Sequence, residues 1–312
     1  LVASVTGPLL YMLDGGLLFL AIARVYHATS LAGVITACQT LLAELAPPGK
    51  RGSVISVYSV TNGIALAIAP AVGFALVTQG SFRVLLLLAS AVALLAFPCL
   101  VLINEPQGVK KEILGSATPT RQLLKSKWVI VPSAALFAMT MVQGATQAFL
   151  PLHGVSVGMM NVGVFFSLYS VSSMISGGFI GILSDKFGRK TIAVPALLLI
   201  AAGTLCLTML PSFTMLILAA VCIGGGFAAA YNSLLALILD RASMADRAQA
   251  VGIYANAFDL GVSSGSMALG AIAGLSFNLL WVFVACVAGA GFLLALMALP
   301  KEGLGLKREQ AL

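Results

Sequence analysis

GILSDKFGRK, residues 181–190, places one carboxylate and three cations in ten positions of a chain that is 60% hydrophobic and only 9% charged. Soluble domains carry roughly a quarter of their residues as charged side chains. With a mean hydropathy of +1.07, the solvent to assume is the bilayer. Crossing about 30 Å of hydrocarbon takes roughly 20 apolar residues in a helix. Nine stretches qualify, at 17–45, 53–78, 83–103, 128–152, 158–183, 191–210, 213–239, 249–276 and 278–299; a tenth, 1–13, is too short. The quoted decapeptide is therefore expected to be a loop between spans ending near Leu183 and starting near Thr191.

The cations are distributed by loop. If loops alternate sides, one side holds Lys50, Arg51, Lys110, Lys111, Arg121, Lys125, Lys127, Lys186, Arg189, Lys190, Arg241, Arg247, Lys301, Lys307 and Arg308, whereas the other holds Arg83 alone. By the positive-inside rule the first side is cytoplasmic. The long middle loop and the C-terminus are then expected in the cytoplasm of a multi-pass protein of the cytoplasmic (inner) membrane. The net charge of +7 is spread between spans rather than gathered on one exposed face, which argues against nucleic acid as a partner. The five cysteines lie singly inside apolar stretches and carry neither metal nor redox spacing. No metal and no cofactor is expected.

A repeat underlies the pattern. At a shift of 196 residues, Glu44 falls on Asp240, Arg51 on Arg247, Tyr58 on Tyr254, Ala65 on Gly261 and Ala69 on Gly265, and the turn at Asp14–Gly16 falls on Leu210–Ser212. Many transporters are built from such repeats. The shift puts the partner of the decapeptide upstream of Leu1, together with two helices and the start of a third. The expected fold class is an all-α membrane protein of two six-helix repeats with that portion absent. Its domains are 1–103 (the rest of the N-terminal half), 104–127 (a cytoplasmic linker), 128–300 (the C-terminal half) and 301–312 (a cytoplasmic tail).

GILSDKFGRK resembles the G-x-L-x-D-x-x-G-R-K signature of the major facilitator superfamily, with Gly181, Leu183, Asp185, Gly188, Arg189 and Lys190 in place. The resemblance implies the loop after the second helix of a half. A carboxylate at the membrane edge can face the positive end of a neighbouring helix. By analogy with the family, that helix starts near Gly52 and Ser53, and Arg189 pairs with Asp240. Gly181, Asp185, Gly188, Arg189, Lys190, Asp240, Glu44 and Arg51 form the expected cytoplasmic gate.

Two buried charges are the candidates for proton coupling. Arg24, in ARVYHATSLAG (23–33), is the one cation in the interior of a span rather than at its end; a mid-bilayer charge costs about 2.5–3.5 kcal/mol on insertion scales, which points to function rather than snorkelling. The stretch resembles the R-x-x-x-G signature of the proton-coupled drug-efflux branch, with Ala28 where Gly is usual. His27 lies one turn on and reads either as a second proton carrier or as a packing residue. Asp259, in YANAFDLGVSSG, sits in a phrase similar to one found in bacterial efflux members; it reads as a coupling carboxylate or as a hydrogen-bonding group between helices. SVISVYSVTNGIALAIAPAVG (53–73) resembles the small-residue motif of antiporters, keeping Pro70 and Gly73 but with Ala65 and Ala69 for glycine. His153, at the end of its span, is expected at an interface.

Gln143, Gln147, Tyr231, Asn232, Tyr254 and Asn256 are expected either to line a polar substrate cavity or to bind helix to helix. GVSSG (261–265) satisfies a hydrolase motif around Ser263, but that motif needs a strand-to-helix elbow and here falls in an apolar stretch expected to be one continuous helix. An enzyme is not expected. The expectation is a secondary transporter, monomeric in the lipid bilayer, exporting a small organic molecule against protons by alternating access. Proton-coupled uptake of a sugar or organic acid is the alternative, and a non-transporting channel or scaffold the lesser one.

Overall fold

The computed structural model describes residues 1–45, 61, 64–65, 68–69, 72–73, 75–77, 82–101, 118–159, 161–243 and 246–299. The chain divides into two compact units, Leu1–Glu112 and Ile113–Leu312. Among the described residues all regular structure is helical. Among the described residues seven helical stretches are long and apolar enough to cross a membrane, and each coincides with a stretch expected from hydropathy. The 53–78 span lies largely outside the described residues.

In the first unit, α1 (Val2–Leu10) and α2 (Gly16–Leu45) are joined by a tight turn that Gly16 closes at φ +72°, a value glycine adopts without strain. α3 (Phe82–Leu94) continues into α4 (Phe97–Val101). α1 packs on both α2 and α3.

In the second unit a short helix, α5 (Thr120–Leu123), precedes α6 (Lys127–Ser156), α7 (Gly163–Phe187), α8 (Arg189–Cys206), α9 (Phe213–Leu239), α10 (Arg247–Ser263), α11 (Gly270–Leu275) and α12 (Phe277–Ala298). α6 is the most enclosed of them and packs on α10 and α12, while α9 packs on α7 and α8, and α8 on α12. Without a hydrophobic driving force in lipid, helices associate where backbones approach closely. A Cβ on Gly144 of α6 would overlap the carbonyl of Val262, and one on Gly261 or Gly265 would overlap Thr140 Oγ1 or the carbonyl of Met141. Glycines from both partners thus interlock α6 with α10. The outward surface is correspondingly apolar, with Leu17 86% and Met297 82% exposed.

The repeat seen in sequence recurs in the elements. Shifted by 196 residues, the last residue of α1, Leu10, falls on Cys206, the last of α8; α2 starts one residue from the equivalent of the α9 start; and α3 starts one residue from that of α12. The packing repeats too, since α8 packs on α9 and α12 as α1 packs on α2 and α3. It extends to single contacts. Gly7 lies against His27, where an added Cβ would come 2.6 Å from the ring; its equivalent Gly203 lies against Ile223, the equivalent of His27, at 2.9 Å.

Two local expectations are corrected. The decapeptide is not an interhelical loop: α7 runs to Phe187 and α8 starts at Arg189, leaving a one-residue joint at Gly188 with φ +95°. Nothing in SDKF breaks a helix, and the reversal needs only one left-handed residue. The 249–276 span is not one uniform helix either, since Ser264–Ala268 forms a π-turn between α10 and α11. It occurs where Gly265 meets the backbone of α6, and π-turns often mark functional sites.

Candidate functional site

The Gly188 joint presents two cations at the N-terminus of α8, where the helix dipole disfavours positive charge. Both find acceptors. Arg189 Nε pairs with Asp240 Oδ2 at 3.2 Å, at the C-terminal end of α9. Arg189 Nη1 also donates to Ser184 Oγ at 3.3 Å, and Ser184 bonds Ser233 of α9 at 3.2 Å in a buried position. Lys190 Nζ donates to the carbonyls of Leu296 and Leu299 at the C-terminal end of α12, the end at which a cation is favourable. Of the other gate residues, the side chains of Glu44, Gly181 and Asp185 and the whole of Arg51 lie outside the described residues.

Between α9 and α10 is a cluster that the sequence reading did not single out. Asp246, 9% exposed, accepts from the Thr118 backbone N–H at 2.8 Å, from Thr118 Oγ1 at 3.1 Å and from Ser243 Oγ at 2.7 Å. Ser243 Oγ in turn accepts from the Asp246 N–H at 3.2 Å, so the two residues bond each other just before α10. Gln249 Nε2 donates to Thr120 Oγ1 at 2.9 Å. The hydrogen bonds from Ser243 and Thr118 hold the Asp246 carboxyl below its ordinary value. Together they clasp the end of the linker to the start of α10. The local signal was the S-x-x-D spacing of Ser243 and Asp246.

In the membrane-length part of α10, Asn256, Asp259 and Ser263 are all exposed. Their spacing of three and four residues puts them in one stripe, on the side away from the Gly261 and Gly265 face that packs on α6. Polar groups in a span turn to the protein interior or to water rather than to lipid. Beside the stripe stand three half-buried rings. Phe227 and Tyr231, one turn apart on α9, are parallel with centroids 6.4 Å apart, and Phe258 of α10 stands nearly perpendicular to both at 6.3 and 6.1 Å.

The remaining polar residues separate by environment. Tyr254 is 1% exposed and donates its hydroxyl to the Tyr231 carbonyl at 2.8 Å, so it joins α10 to α9. Asn232 and Gln147 are exposed, and Gln143 is half-buried with its Oε1 buried and unpartnered among the described residues. His153, in the last turn of α6, is buried within the protein: at 4% exposure its Nδ1 accepts from Trp281 Nε1 at 2.9 Å and its ring stacks on Phe277.

In the first unit, His27 sits in the α1–α2 contact, with Tyr11 Oη 3.2 Å from its Nδ1. Ser4 and Ser30 bond at 2.7 Å and Thr6 and Tyr26 at 3.0 Å along the same contact. Arg24 is exposed and has no hydrogen-bond or ion-pair partner among the described residues.

Membrane-length helices, a duplicated packing scheme and polar groups exposed within a span define a polytopic helical membrane protein. The sequence model of the Major Facilitator Superfamily matches residues 1–180 and again residues 153–311. The chain belongs to that superfamily, whose members are transporters and not enzymes. It is 22% identical over 276 residues to the staphylopine export protein of Staphylococcus aureus, covering 85% of this chain and 69% of that protein. It is 26% identical over 223 residues to the citrate-proton symporter of Klebsiella pneumoniae, covering 64% of this chain and 49% of the symporter. Among solved structures, a bacterial homologue of the human lysosomal transporter Spinster, inward-facing and unoccupied, matches at TM-score 0.68 and 15% identity, over 95% of this chain and 78% of that one. The occupied form matches at TM-score 0.65 and 16% identity, over 95% and 80%. At these identities the structures speak for the fold alone.

Proposed function

We propose that this chain is the transporting part of a proton-coupled exporter of a small organic molecule, working by alternating access in the cytoplasmic membrane as a monomer. The observation that carries this reading is the exposed Asn256–Asp259–Ser263 stripe in a membrane-length helix. An ionisable side chain within a span is costly in lipid and marks proton or substrate pathways. Asp259 carries the proton in this mechanism, Arg24 sets the field in the other unit, and His27 is a secondary candidate. Gln143, Gln147, Asn232 and Asn256 contact substrate, and Tyr231 and Tyr254 hold that surface in place.

The Arg189–Asp240 pair, with Lys190 and Asp185, forms the cytoplasmic latch. The cation-rich loops, the 104–127 linker and the 301–312 tail face the cytoplasm. Export is supported by the similarity to a staphylopine exporter. Uptake is the second reading, supported by the similarity to a citrate-proton symporter. Reconstitution in proteoliposomes under an imposed pH gradient tests both. Asp259→Asn is expected to insert normally and to lose proton-driven flux, and the direction of wild-type flux relative to the proton flow chooses between export and uptake. An unchanged pH dependence in Asp259→Asn removes Asp259 from the mechanism.

A further inference from the structure

The 196-residue repeat supplies an internal control for the seam between α1 and α2. In that seam Ser4 and Ser30 bond at 2.7 Å, Thr6 and Tyr26 bond at 3.0 Å, and Tyr11 Oη meets His27 Nδ1 at 3.2 Å. The equivalent pairs between α8 and α9 are Ile200 and Gly226, Ala202 and Cys222, and Leu207 and Ile223. The backbones approach closely there too, since a Cβ on Gly226 would come 2.9 Å from the Ile200 side chain and one on Gly203 2.9 Å from that of Ile223. The same packing is thus reached with no hydroxyl and no imidazole at these positions. Helix adhesion alone does not account for the polar side chains that line one copy of the seam.

These are groups that pass protons. Hydroxyls and a neutral imidazole each both donate and accept, and the Ser4–Ser30 and Tyr11–His27 bonds can each run in either sense. They follow one another along the seam. Tyr11 caps the end of α1 beside the Asp14–Gly16 turn, His27 lies against Gly7 one turn back, and the serine pair lies one turn further on. Ser4 is buried, and Ser30 stands roughly 21 Å along α2 from its start at Gly16, at 1.5 Å per residue. The charged residues of α1, α2, α3 and the turn are Asp14, Arg24, Glu44 and Arg83; Arg24, three residues before His27, is the one within a helical turn of it. Tyr11 and Tyr26 are the other titratable groups of the seam. Helices in contact leave room between them for a proton or a single water, not for an organic solute, and titratable groups within spans mark proton relays.

We propose that the α1–α2 seam is a proton line, in which Tyr11 relays protons between water at the Asp14–Gly16 turn and His27, and the Ser4–Ser30 pair continues the line inward. This deepens the transport reading above and rests on it. It gives the coupling proton a path from the outer side, because the turn lies opposite the cation-rich loops. A proton enters as Tyr11 gives its hydroxyl proton to His27 Nδ1 and takes another from water. It leaves as the imidazolium gives up its Nε2 proton towards the serines, through a water across the intervening turn. A half-turn of the ring then restores the first neutral tautomer.

The test is nuclear magnetic resonance of the full chain in lipid nanodiscs, isotope-labelled in its histidine rings. The sequence holds two histidines, and His27→Gln identifies the signal of His27. That ring is expected to titrate between about pH 5 and 8 and to exchange its N–H proton with water. Tyr11→Leu, which installs the residue found at this place in the second unit, and Tyr11→Phe are each expected to slow the exchange about tenfold or more. Mere adhesion between the helices predicts the opposite, since loss of the Tyr11 hydroxyl would loosen the seam and quicken exchange. Adding Ser30→Ala to Tyr11→Leu is expected to slow the exchange further by closing the inner route. No titration, unchanged or faster exchange in either Tyr11 variant, or no further slowing in the double variant overturns the proposal. The measurement needs no substrate, so its failure leaves the transport reading to the Asp259→Asn flux test. Absence of proton-driven flux in that test sinks the transport reading and leaves the exchange result standing.

Discussion

Trp281 and His153 give the sharpest quantitative test of the second unit. The indole is 0% exposed and its Nε1–H has one acceptor, His153 Nδ1 at 2.9 Å. His153→Leu would fill much of the same space yet leave that N–H buried and unpaired, at a cost of about 1–3 kcal/mol. Loss of the His153 ring stacked on Phe277 at 4.9 Å adds roughly 0.5–1.5 kcal/mol. Trp281→Phe removes the donor but shrinks a fully buried side chain, for about 1–3 kcal/mol of lost packing. In the double variant no N–H is left orphaned, so its destabilisation should fall short of the sum of the singles by about 1–2 kcal/mol. Equilibrium unfolding of the four proteins in mixed detergent micelles measures this cycle. Additivity to within about 0.5 kcal/mol would refute the reasoning and make His153 a spacer rather than an acceptor.

The linker clasp and the glycine interlock each make a further prediction. The Asp246 carboxyl lies below its ordinary value of 3.8 because Ser243 and Thr118 donate to its ionised form. Its contribution is therefore complete above that ordinary value and is lost as pH falls through the lower folded one. A spin label at residue 125 should stay ordered from neutral pH down to about pH 4 and become mobile at pH 7 in Asp246→Asn; equal order in that variant would show that the carboxylate does not hold the linker. Gly261→Ala would push a methyl into Thr140 Oγ1 and the Phe137 carbonyl, for about 1–3 kcal/mol of overpacking. Gly178→Ala, with nothing within 4 Å of its Cβ, should be neutral or slightly stabilising in the same thermal melt, and equal losses in both would deny the interlock.

Much of this structure was legible in sequence because the bilayer enforces a simple code. Segment length fixed the spans, and the 196-residue shift brought out a repeat that the Gly7–His27 and Gly203–Ile223 contacts carry down to single side chains. The Arg189–Asp240 ion pair follows the pairing that the family signature implied. What escaped has no periodic signature. His153 was read from its position along the span, but its acceptor role depends on Trp281, 128 residues away. Thr118 and Asp246 are equally remote in sequence. The charge between Leu183 and Thr191 reads as the end of a helix and hence as a loop, whereas Gly188 alone turns the chain. The π-turn at Ser264–Ala268 answers to the backbone of α6, which hydropathy does not register.

The Gly188 joint carries a mechanical consequence. Arg189 and Lys190 are neighbours in one backbone, yet the first grips the end of α9 and the second the end of α12. They act as a yoke. Tilting the first turn of α8 must pull on two other helices together, and neither can be released without loading the other. Small displacement at one residue pair is thereby shared by three rods, so the end of this bundle moves as a block or not at all.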